Sequence, residues 1–364
     1  MKCVMQLILG ATLGLSGGSL VSGDQRVMRE VFDAWNQRQQ IANRVYYELD
    51  CRTVIPKGAY SEAMGLDPET DPDPVEDTVL KFTRRLYLDF DNGKSRSEKE
   101  GDDLIEGMRR TACEIALCDG EHIQAYQPRE KYENPAAPGI PAVELMNHTP
   151  DGQFRAFFFD PVLYPIFCAH GIVQDDKHQI APLPSLRHAI QESYFHYDRA
   201  VSVNGQELVV VRSVDHPSQL TSEYWVDMAR DAAIVRMLHL DSSGDIYKEV
   251  DIDYEDSDRG WFPSGWTDSR GAQGSVETVK VANLEFNPDF SGIEFHIEPT
   301  PGMIYRNEGS PEAMVAAATG SPDMRFEYSE VLNQQRRTRQ FWMVLVGVGA
   351  AAFVGLLYWR RSRN

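Results

Sequence analysis

The feature that most restricts the fold of this chain is a series of turn signals, each placed between two runs of alternating apolar and polar residues. Asn-Gly pairs stand at 92–93 and 204–205, and an Asp-Gly pair stands at 119–120. These dipeptides tolerate the positive φ that tight hairpins need, and residues of alternating polarity share one face of a strand. The pattern therefore predicts at least three antiparallel hairpins.

Further strand-like runs continue to about residue 298, and no long crossover helix separates them. Val27, Val31 and Trp35 recur at helical spacing and predict one helix over 25–39. Residues 128–151 are rich in Pro and Asn and predict irregular structure, whereas residues 154–172 predict a short apolar helical passage interrupted by prolines. Together these patterns predict a mainly β (α+β) fold, which is either a single curved antiparallel sheet or a half-open barrel with a few helices in or across its concavity.

Both ends of the chain are apolar and predict export and anchoring. The run before Asp24 has the features of a signal peptide, and a buried first helix is the alternative. Residues 341–359 contain no charge and would be about 28 Å long as a helix, close to the ~30 Å hydrocarbon core. The side chains predicted at the membrane interface are Phe341, Trp342, Tyr358, Trp359, Arg360 and Arg361.

These segments divide the chain into five predicted parts. They are a signal peptide at 1–23, an exported β-rich domain at 24–300, a stalk at 301–340, a transmembrane helix at 341–359 and a basic cytoplasmic tail at 360–364. Because arginines flank both ends of the predicted helix, the cleavable signal decides its orientation. We therefore expect a single-pass membrane protein with its bulk in the periplasm and its C-terminus in the cytoplasm.

Charge and cysteine content restrict the partners further. The formal net charge of −19 would repel a phosphate backbone, so we expect no nucleic-acid partner. Four cysteines follow the predicted signal, at 51, 113, 118 and 168, and they allow three disulfide pairings. A bridge between Cys113 and Cys118 is the least favoured, because an odd separation on one strand places the two side chains on opposite faces.

Motifs that carry chemistry are missing. The sequence contains no G-x-S-x-G, H-E-x-x-H, phosphate-binding loop or dinucleotide fingerprint, so we expect no cofactor, no metal and no catalysis. Five carboxylates crowd residues 251–258, but those along IYKEVDIDYE share one strand face with Glu249 at ~6.6 Å steps. An acidic solvated face is therefore favoured over a metal-assisted hydrolase that would use residues 249–258 with distant histidines.

The succession YWVDMARDAAIVRM, IYKEVDIDYED and GWFPSGWTD resembles the lipoprotein-carrier-like superfamily of outer-membrane lipoprotein sorting proteins. Tyr224 to Asp227 match its aromatic-Trp-Val-Asp strand, and Gly260, Trp261 and Pro263 match the strand after its acidic turn. The resemblance implies a half-open barrel with an apolar cavity for acyl chains, and related domains act as sensors of the envelope. The predicted anchor, an acidic loop at 56–78 and the predicted stalk depart from a carrier that crosses the periplasm freely.

We therefore expect a membrane-anchored extracytoplasmic domain, not an enzyme, that binds a lipid, a lipoprotein or another envelope component. The alternative is a structural or sensory protein whose acidic surface meets an envelope protein partner. The side chains expected to line the ligand cavity are Phe157, Phe158, Phe159, Phe167, Trp225, Trp261 and Trp266.

Overall fold

The computed structural model describes residues 23–59, 75–105, 108–134, 137–148, 163–173, 186–187, 190, 192–214, 221–271, 274–300, 303–307, 312–315 and 324–327. The predicted signal peptide up to residue 22, most of the acidic loop and the predicted transmembrane helix lie outside these ranges. Among the described residues, no helix combines the length and the apolar character needed to cross a membrane.

The protein is mainly β, and its described strands form one large, open, curved sheet. Two α-helices are described, α1 at Gly23–Arg38 and α2 at Tyr164–Ala169. The sixteen described strands are β1 Arg44–Ile55, β2 Thr78–Asp89, β3 Lys94–Ile105, β4 Met108–Cys118, β5 Ile123–Asn134, β6 Ala137–His148, β7 Phe195–Val203, β8 Gln206–Val214, β9 Thr221–Asp227, β10 Ala233–Leu240, β11 Ile246–Ser257, β12 Gly260–Arg270, β13 Val276–Phe286, β14 Ile304–Asn307, β15 Glu312–Val315 and β16 Met324–Glu327.

The strand order is β16-β15-β14-β6-β5-β4-β3-β2-β1-β13-β12-β11-β10-β9-β8-β7. Most neighbours are consecutive in sequence and antiparallel, as the turn signals predict. Two junctions join distant parts of the chain, because β13 pairs with β1 and β14 pairs in parallel with β6. The mainly β class and the single sheet are thus confirmed.

The three predicted hairpins form around the predicted turns. Asn204 and Gly205 have φ values of 55° and 81°, and they join the directly paired residues Val203 and Gln206. Gly93 and Gly120 also have positive φ, in the turns between β2 and β3 and between β4 and β5. Local turn chemistry therefore determines the register of these strand pairs.

The prediction of irregular structure over 128–151 is wrong, because β5 extends to Asn134 and β6 covers Ala137–His148. Pro128 pairs with Val143, and Pro141 pairs with Glu133 at a shift of register. Bulges of this kind allow a sheet to accept residues that cannot donate to the ladder. Beyond residue 300, three short strands that no sequence pattern indicated continue the sheet.

Helix α1 covers the inner face of the sheet, as its apolar spacing predicts. Val31 and Trp35 are fully buried, and the Trp35 ring makes edge contacts with Phe32 and Phe195. The Trp35 indole N–H donates to the carbonyl of Ala232 at 2.9 Å, which satisfies its one polar atom. All six residues of α2 are buried beside it. The two helices and the inner face form one continuous core.

Gly171, just after α2, lies against α1 so closely that a β carbon there would overlap the carbonyl oxygen of Trp35, and its φ is +71°. We expect Gly171→Ala to lower the free energy of unfolding by ~3 kcal/mol or more, because the positive φ alone costs about 1–3 kcal/mol and the helix must also shift. Urea denaturation followed by circular dichroism measures this change.

Gly205→Ala is the matched control, because Gly205 has a φ of +81° but no other atom lies within 4 Å of the place that a β carbon would occupy. We expect this control to lose only about 1 kcal/mol. Equal losses in the two variants would contradict the close approach of Gly171 to α1.

A segment that we call the crossover strap, residues 287–300, leads from β13 to β14 over the outer face of the sheet. Phe290 packs edge-on against Tyr87 of β2, and the carbonyl of Glu294 accepts from the Arg96 guanidinium of β3 at 2.7 Å. Ile297 exchanges two hydrogen bonds with the side chain of Gln124 on β5. The strap therefore crosses the strands that separate β13 from β6.

The four described cysteines are free thiols. Cys113 is exposed and Cys118 is buried on the same strand, as their odd separation predicts. Cys51 and Cys168 are buried in the core. The protein as described therefore has a packed core that does not depend on a disulfide.

Candidate functional site

The acidic stretch that follows residue 248 lies on β11, a strand whose two faces differ sharply. Val250, Ile252 and Tyr254 are buried, while Asp251, Asp253 and Glu255 between them are exposed. The alternation predicted from the sequence is confirmed. Because the exposed carboxylates project from the outer face of the sheet, they do not approach the core or the helices that cover it.

Polar side chains interrupt the apolar inner face along one line that crosses seven strands. We call this line the polar row. It consists of Ser213, Ser222, His239, Lys248, Asp268, Glu277 and Thr53, on strands β8 to β13 and on β1. Paired residues of an antiparallel sheet point to the same face, and diagonal neighbours on that face are also within reach of long side chains. These side chains are therefore neighbours on the inner face.

Asp268 and Lys248 form the charged centre of the polar row. Asp268 is paired with the buried Val250, which places its carboxylate on the core face, and the residue is only 2% exposed. The Lys248 ammonium lies 3.3 Å from a carboxylate oxygen of Asp268. Apart from this ion pair, no described residue donates a hydrogen bond to either oxygen. A buried carboxylate needs such donors, so this carboxylate has capacity for a further partner.

Trp266 lies two residues before Asp268 on the same strand face, and its indole N–H is buried without a hydrogen-bond partner among the described residues. An unpaired buried N–H costs roughly 1–3 kcal/mol, so such groups are rare unless they serve a purpose. The Trp266 N–H and the Asp268 carboxylate of the polar row thus present a donor and an acceptor within one strand segment, beside the apolar helix α2.

His239 and Cys168 lie within reach of the Lys248 charge, and neither is activated for catalysis. Burial, and to a lesser degree the positive charge of Lys248, lower the pKa of His239 to about 3. Burial raises the pKa of the Cys168 thiol to about 12, although a hydrogen bond from Tyr164 and the charge of Lys248 act in the opposite direction. At neutral pH the imidazole is uncharged and the thiol is protonated.

Ser222 and His239 form the one pair in the polar row that resembles a nucleophile and its base, with Oγ and Nδ1 3.0 Å apart. A general base works best with a pKa near the operating pH, and a pKa of about 3 makes this imidazole a poor proton acceptor. The pair is therefore better suited to hydrogen bonding than to proton transfer.

The aromatic residues predicted to line a cavity lie in different places. Phe167, on α2, and Trp266, on β12, are both buried in the core. Trp261 is half-buried at the opposite end of β12, where Arg230 lies over its ring at 4.8 Å. Trp225 lies on the outer face between Arg199 and Arg236, because the alternate residues Tyr224 and Val226 occupy the core face.

The remaining predicted site residues lie outside the described ranges. They are Phe157, Phe158 and Phe159 and the membrane-interface set Phe341, Trp342, Tyr358, Trp359, Arg360 and Arg361. Sequence reasoning missed the polar row, although one signal pointed to it. Lys248 interrupts the apolar positions of β11, and a charged residue on an otherwise apolar strand face is a reason to search neighbouring strands for its partner.

A polar surface cleft of about 380 Å³ lies at the other end of β1 from the polar row. Its walls include Arg44, Asp89 and Asn287, and Arg187 lies beside it with hydrogen bonds to the carbonyls of Gln39 and Ala42. Arg187 also forms an ion pair with Asp91, just after β2, so it joins the segment after α1 to the sheet. The cleft is therefore separate from the inner-face residues that could recognise an apolar ligand.

No protein-family model matches the chain, and neither does any curated protein. Among solved structures, the chain is similar to an outer membrane lipoprotein-sorting protein domain from Vibrio parahaemolyticus, with 10% identity and a TM-score of 0.40, over 73% of this chain and 95% of that one. It is also similar to a DUF1329 family protein from Desulfovibrio piger, with 12% identity and a TM-score of 0.39, over 74% and 97% of the two chains.

A third similar structure is the MucA/MucB complex of Pseudomonas aeruginosa, with 11% identity and a TM-score of 0.25, over 79% of this chain and 75% of that one. The first of the three is the kind of protein that the motifs around Trp225 and Trp261 resemble. Likenesses at this level of identity and TM-score assign neither a ligand nor a partner to this chain.

Proposed function

We propose that this chain is a membrane-anchored, extracytoplasmic binding domain that takes an amphiphile, a lipid or the acylated end of a lipoprotein, at the inner face of its sheet. The observation that carries the proposal is the position of the polar row. It places the Lys248–Asp268 pair at the border of an apolar core, near the Trp266 N–H, which has no hydrogen-bond partner among the described residues. An amphiphile has the same two parts, a head group that needs hydrogen bonds and a chain that needs apolar contact.

The charges of the polar row favour a head group that carries both signs. Lys248 and the Trp266 N–H can donate, and the carboxylate of Asp268 can accept. The apolar chain would take the place of part of helix α2 against the inner face, where all six residues of this helix are buried. Removal of the chain from water supplies most of the affinity, at ~0.8 kcal/mol for each buried methylene.

The geometry supports binding rather than catalysis. The Ser222–His239 pair lacks a useful base, and the Cys168 thiol is held in its protonated form. The carboxylates between residues 249 and 258 that a metal-assisted hydrolase would use are divided between the outer face of the sheet, the exposed end of β11 and the turn that follows it. We therefore propose that the domain is not an enzyme.

The test is to measure bound lipid in an exported fragment of residues 24–340. We expect native mass spectrometry to show an adduct of lipid mass on the wild-type fragment. We expect the double variant Lys248→Met with Asp268→Leu to retain at least ~10-fold less lipid than the wild-type fragment. This variant removes both charges of the head-group site without leaving one of them buried alone. Circular dichroism must show that the variant is folded.

Lys280→Met is the matched control, because this exposed lysine lies on β13 away from the core and its loss should leave the adduct unchanged. A wild-type fragment that carries no lipid under any condition of preparation would contradict the proposal. A strong protein adduct after crosslinking in intact cells, without bound lipid, would instead favour the sensory alternative, for which the exposed carboxylates of β11 offer a surface to a basic partner.

A further inference from the structure

Two histidines and one aspartate meet where the crossover strap passes the turn between β4 and β5. Asp119 begins this turn, and one of its carboxylate oxygens, Oδ1, accepts from the backbone N–H groups of Glu121 and His122 at 2.8 and 2.7 Å. The second oxygen, Oδ2, faces the Nδ1 atoms of His122 and of His296, which belongs to the strap, at 3.3 and 3.1 Å.

The spacing of these three atoms matches that of ligands around one metal ion. Zinc binds nitrogen and oxygen at about 2.0–2.2 Å in tetrahedral sites, so two of its ligands lie ~3.3 Å apart. One ligand atom from each of Asp119, His122 and His296 lies within 4.8 Å of the other two. Rotation of two partly exposed imidazole rings would suffice to bring all three atoms to bonding distance.

The turn fixes the orientation of the Asp119 carboxylate in advance. The backbone N–H groups of Glu121 and His122 occupy Oδ1, which leaves Oδ2 directed at the two imidazoles.

A second carboxylate supports the inference independently. The Nε2 atom of His296, which faces away from Asp119, lies 3.5 Å from a carboxylate oxygen of Glu298. Histidines that bind metals through one ring nitrogen usually donate the other to a carboxylate or carbonyl, which fixes the tautomer and raises the basicity of the ligand. The exposed Glu298 side chain lies close enough to Nε2 of His296 to take this role.

We propose that Asp119, His122 and His296 bind a divalent transition metal ion, with Zn²⁺ the best match to a set of two imidazoles and one carboxylate. The ion would fasten the crossover strap to the β4–β5 turn. Because the His122 side chain is 62% exposed, a fourth coordination position would be open to solvent. This site lies on the outer face and is independent of the proposed binding of an amphiphile.

The test is zinc binding to the full-length protein in detergent micelles, after treatment with chelator and dialysis. We expect one zinc ion for each chain, and we expect His122→Gln and His296→Gln each to weaken binding at least ~10-fold. Glu298→Gln should weaken it less, because it removes only the outer carboxylate. Co²⁺ should give the visible absorption of tetrahedral coordination in the wild type and lose it in His296→Gln.

Two controls separate this site from adventitious binding. His196→Gln removes an exposed histidine on β7, and Cys113→Ser removes the exposed thiol, so neither should change the affinity. Failure of the wild-type protein to retain a stoichiometric ion at micromolar zinc would overturn the proposal, and the three residues would then be a hydrogen-bonded turn. Equal zinc affinities of the wild type and His296→Gln would overturn it as well.

Discussion

Replacement of Arg38 by methionine is expected to lower the free energy of unfolding by ~3–5 kcal/mol. Arg38 is the last residue of α1 and is 2% exposed. Its guanidinium donates to four backbone carbonyls, those of Ala169, Arg230, Asp231 and Trp261, at 2.8 or 2.9 Å. A single side chain thus joins α1 to three separate segments of the chain.

The expected loss is large because methionine cannot donate to the four carbonyls, which lie at the ends of α2 and β12 and between β9 and β10. Burial lowers the pKa of Arg38, although electrostatic interactions with Tyr254, Asp231 and Tyr47 act in the opposite direction. The four carbonyl dipoles face the buried cation and stabilise it. Arg38→Lys should recover only part of the stability, since an ammonium has three donors and lacks the planar fork.

Thermal denaturation followed by circular dichroism measures the effect, and Arg259→Met serves as the control. Arg259 lies over an aromatic ring, Phe286, and donates to the carbonyl of Ile41, but it is exposed. We expect this control to change the free energy of unfolding by less than about 1 kcal/mol. If Arg38→Met were as stable as Arg259→Met, the Arg38 guanidinium would not be stabilising the junction between α1 and the segments whose carbonyls it contacts.

The second large effect is expected at the centre of the polar row. Lys248→Ala should destabilise the protein by ~3–5 kcal/mol, because it leaves the carboxylate of Asp268 buried without the ammonium that faces it. Loss of both charges in Lys248→Met with Asp268→Leu should cost much less, since neither partner is then left uncompensated in the core. A double-mutant cycle in urea, with Lys248→Met and Asp268→Leu as the two single variants, measures the coupling between the two residues.

This cycle also distinguishes a structural role from a binding role. If the double variant is nearly as stable as the wild type and yet carries no lipid, the charged pair serves the ligand rather than the fold. If Lys248→Ala is itself neutral, then Asp268 must be compensated by other groups, and the assignment of Lys248 as its partner would be wrong. Lys280→Met controls for the loss of one positive charge from the sheet.

The parts of the fold that depend on neighbouring residues could be predicted from the sequence. Two neighbouring residues, Asn204 and Gly205, are enough to define the tight turn between β7 and β8. The spacing of Val31 and Trp35 is enough to define helix α1. The alternation of β11 is local in the same sense. In each case the side chains that determine the structure lie within a few positions of one another.

The polar row and the histidine site could not be predicted in this way, because each depends on register across strands. Asp119 and His296 are 177 positions apart, and they meet only because the strap crosses the sheet on its outer face. Lys248 and Asp268 meet through the pairing of β11 with β12, which includes a shift of register near Tyr254. A shift of one residue would turn Asp268 to the opposite face, and no local pattern determines its position.

The pairing of β1 with β13 has a consequence for how the chain folds. Apart from the three short strands β14 to β16, the described sheet consists of two series of hairpins, β1 to β6 and β7 to β13, and each can form from contacts between near neighbours. They are joined along one seam in which residues 45–54 meet residues 276–286. Closing so long a loop is slow relative to hairpin formation, so the seam is expected to be the late step of folding. Until residue 286 has been synthesised, the edge of β1 remains exposed, and a factor that shields a bare strand edge during that interval should raise the yield of the native protein.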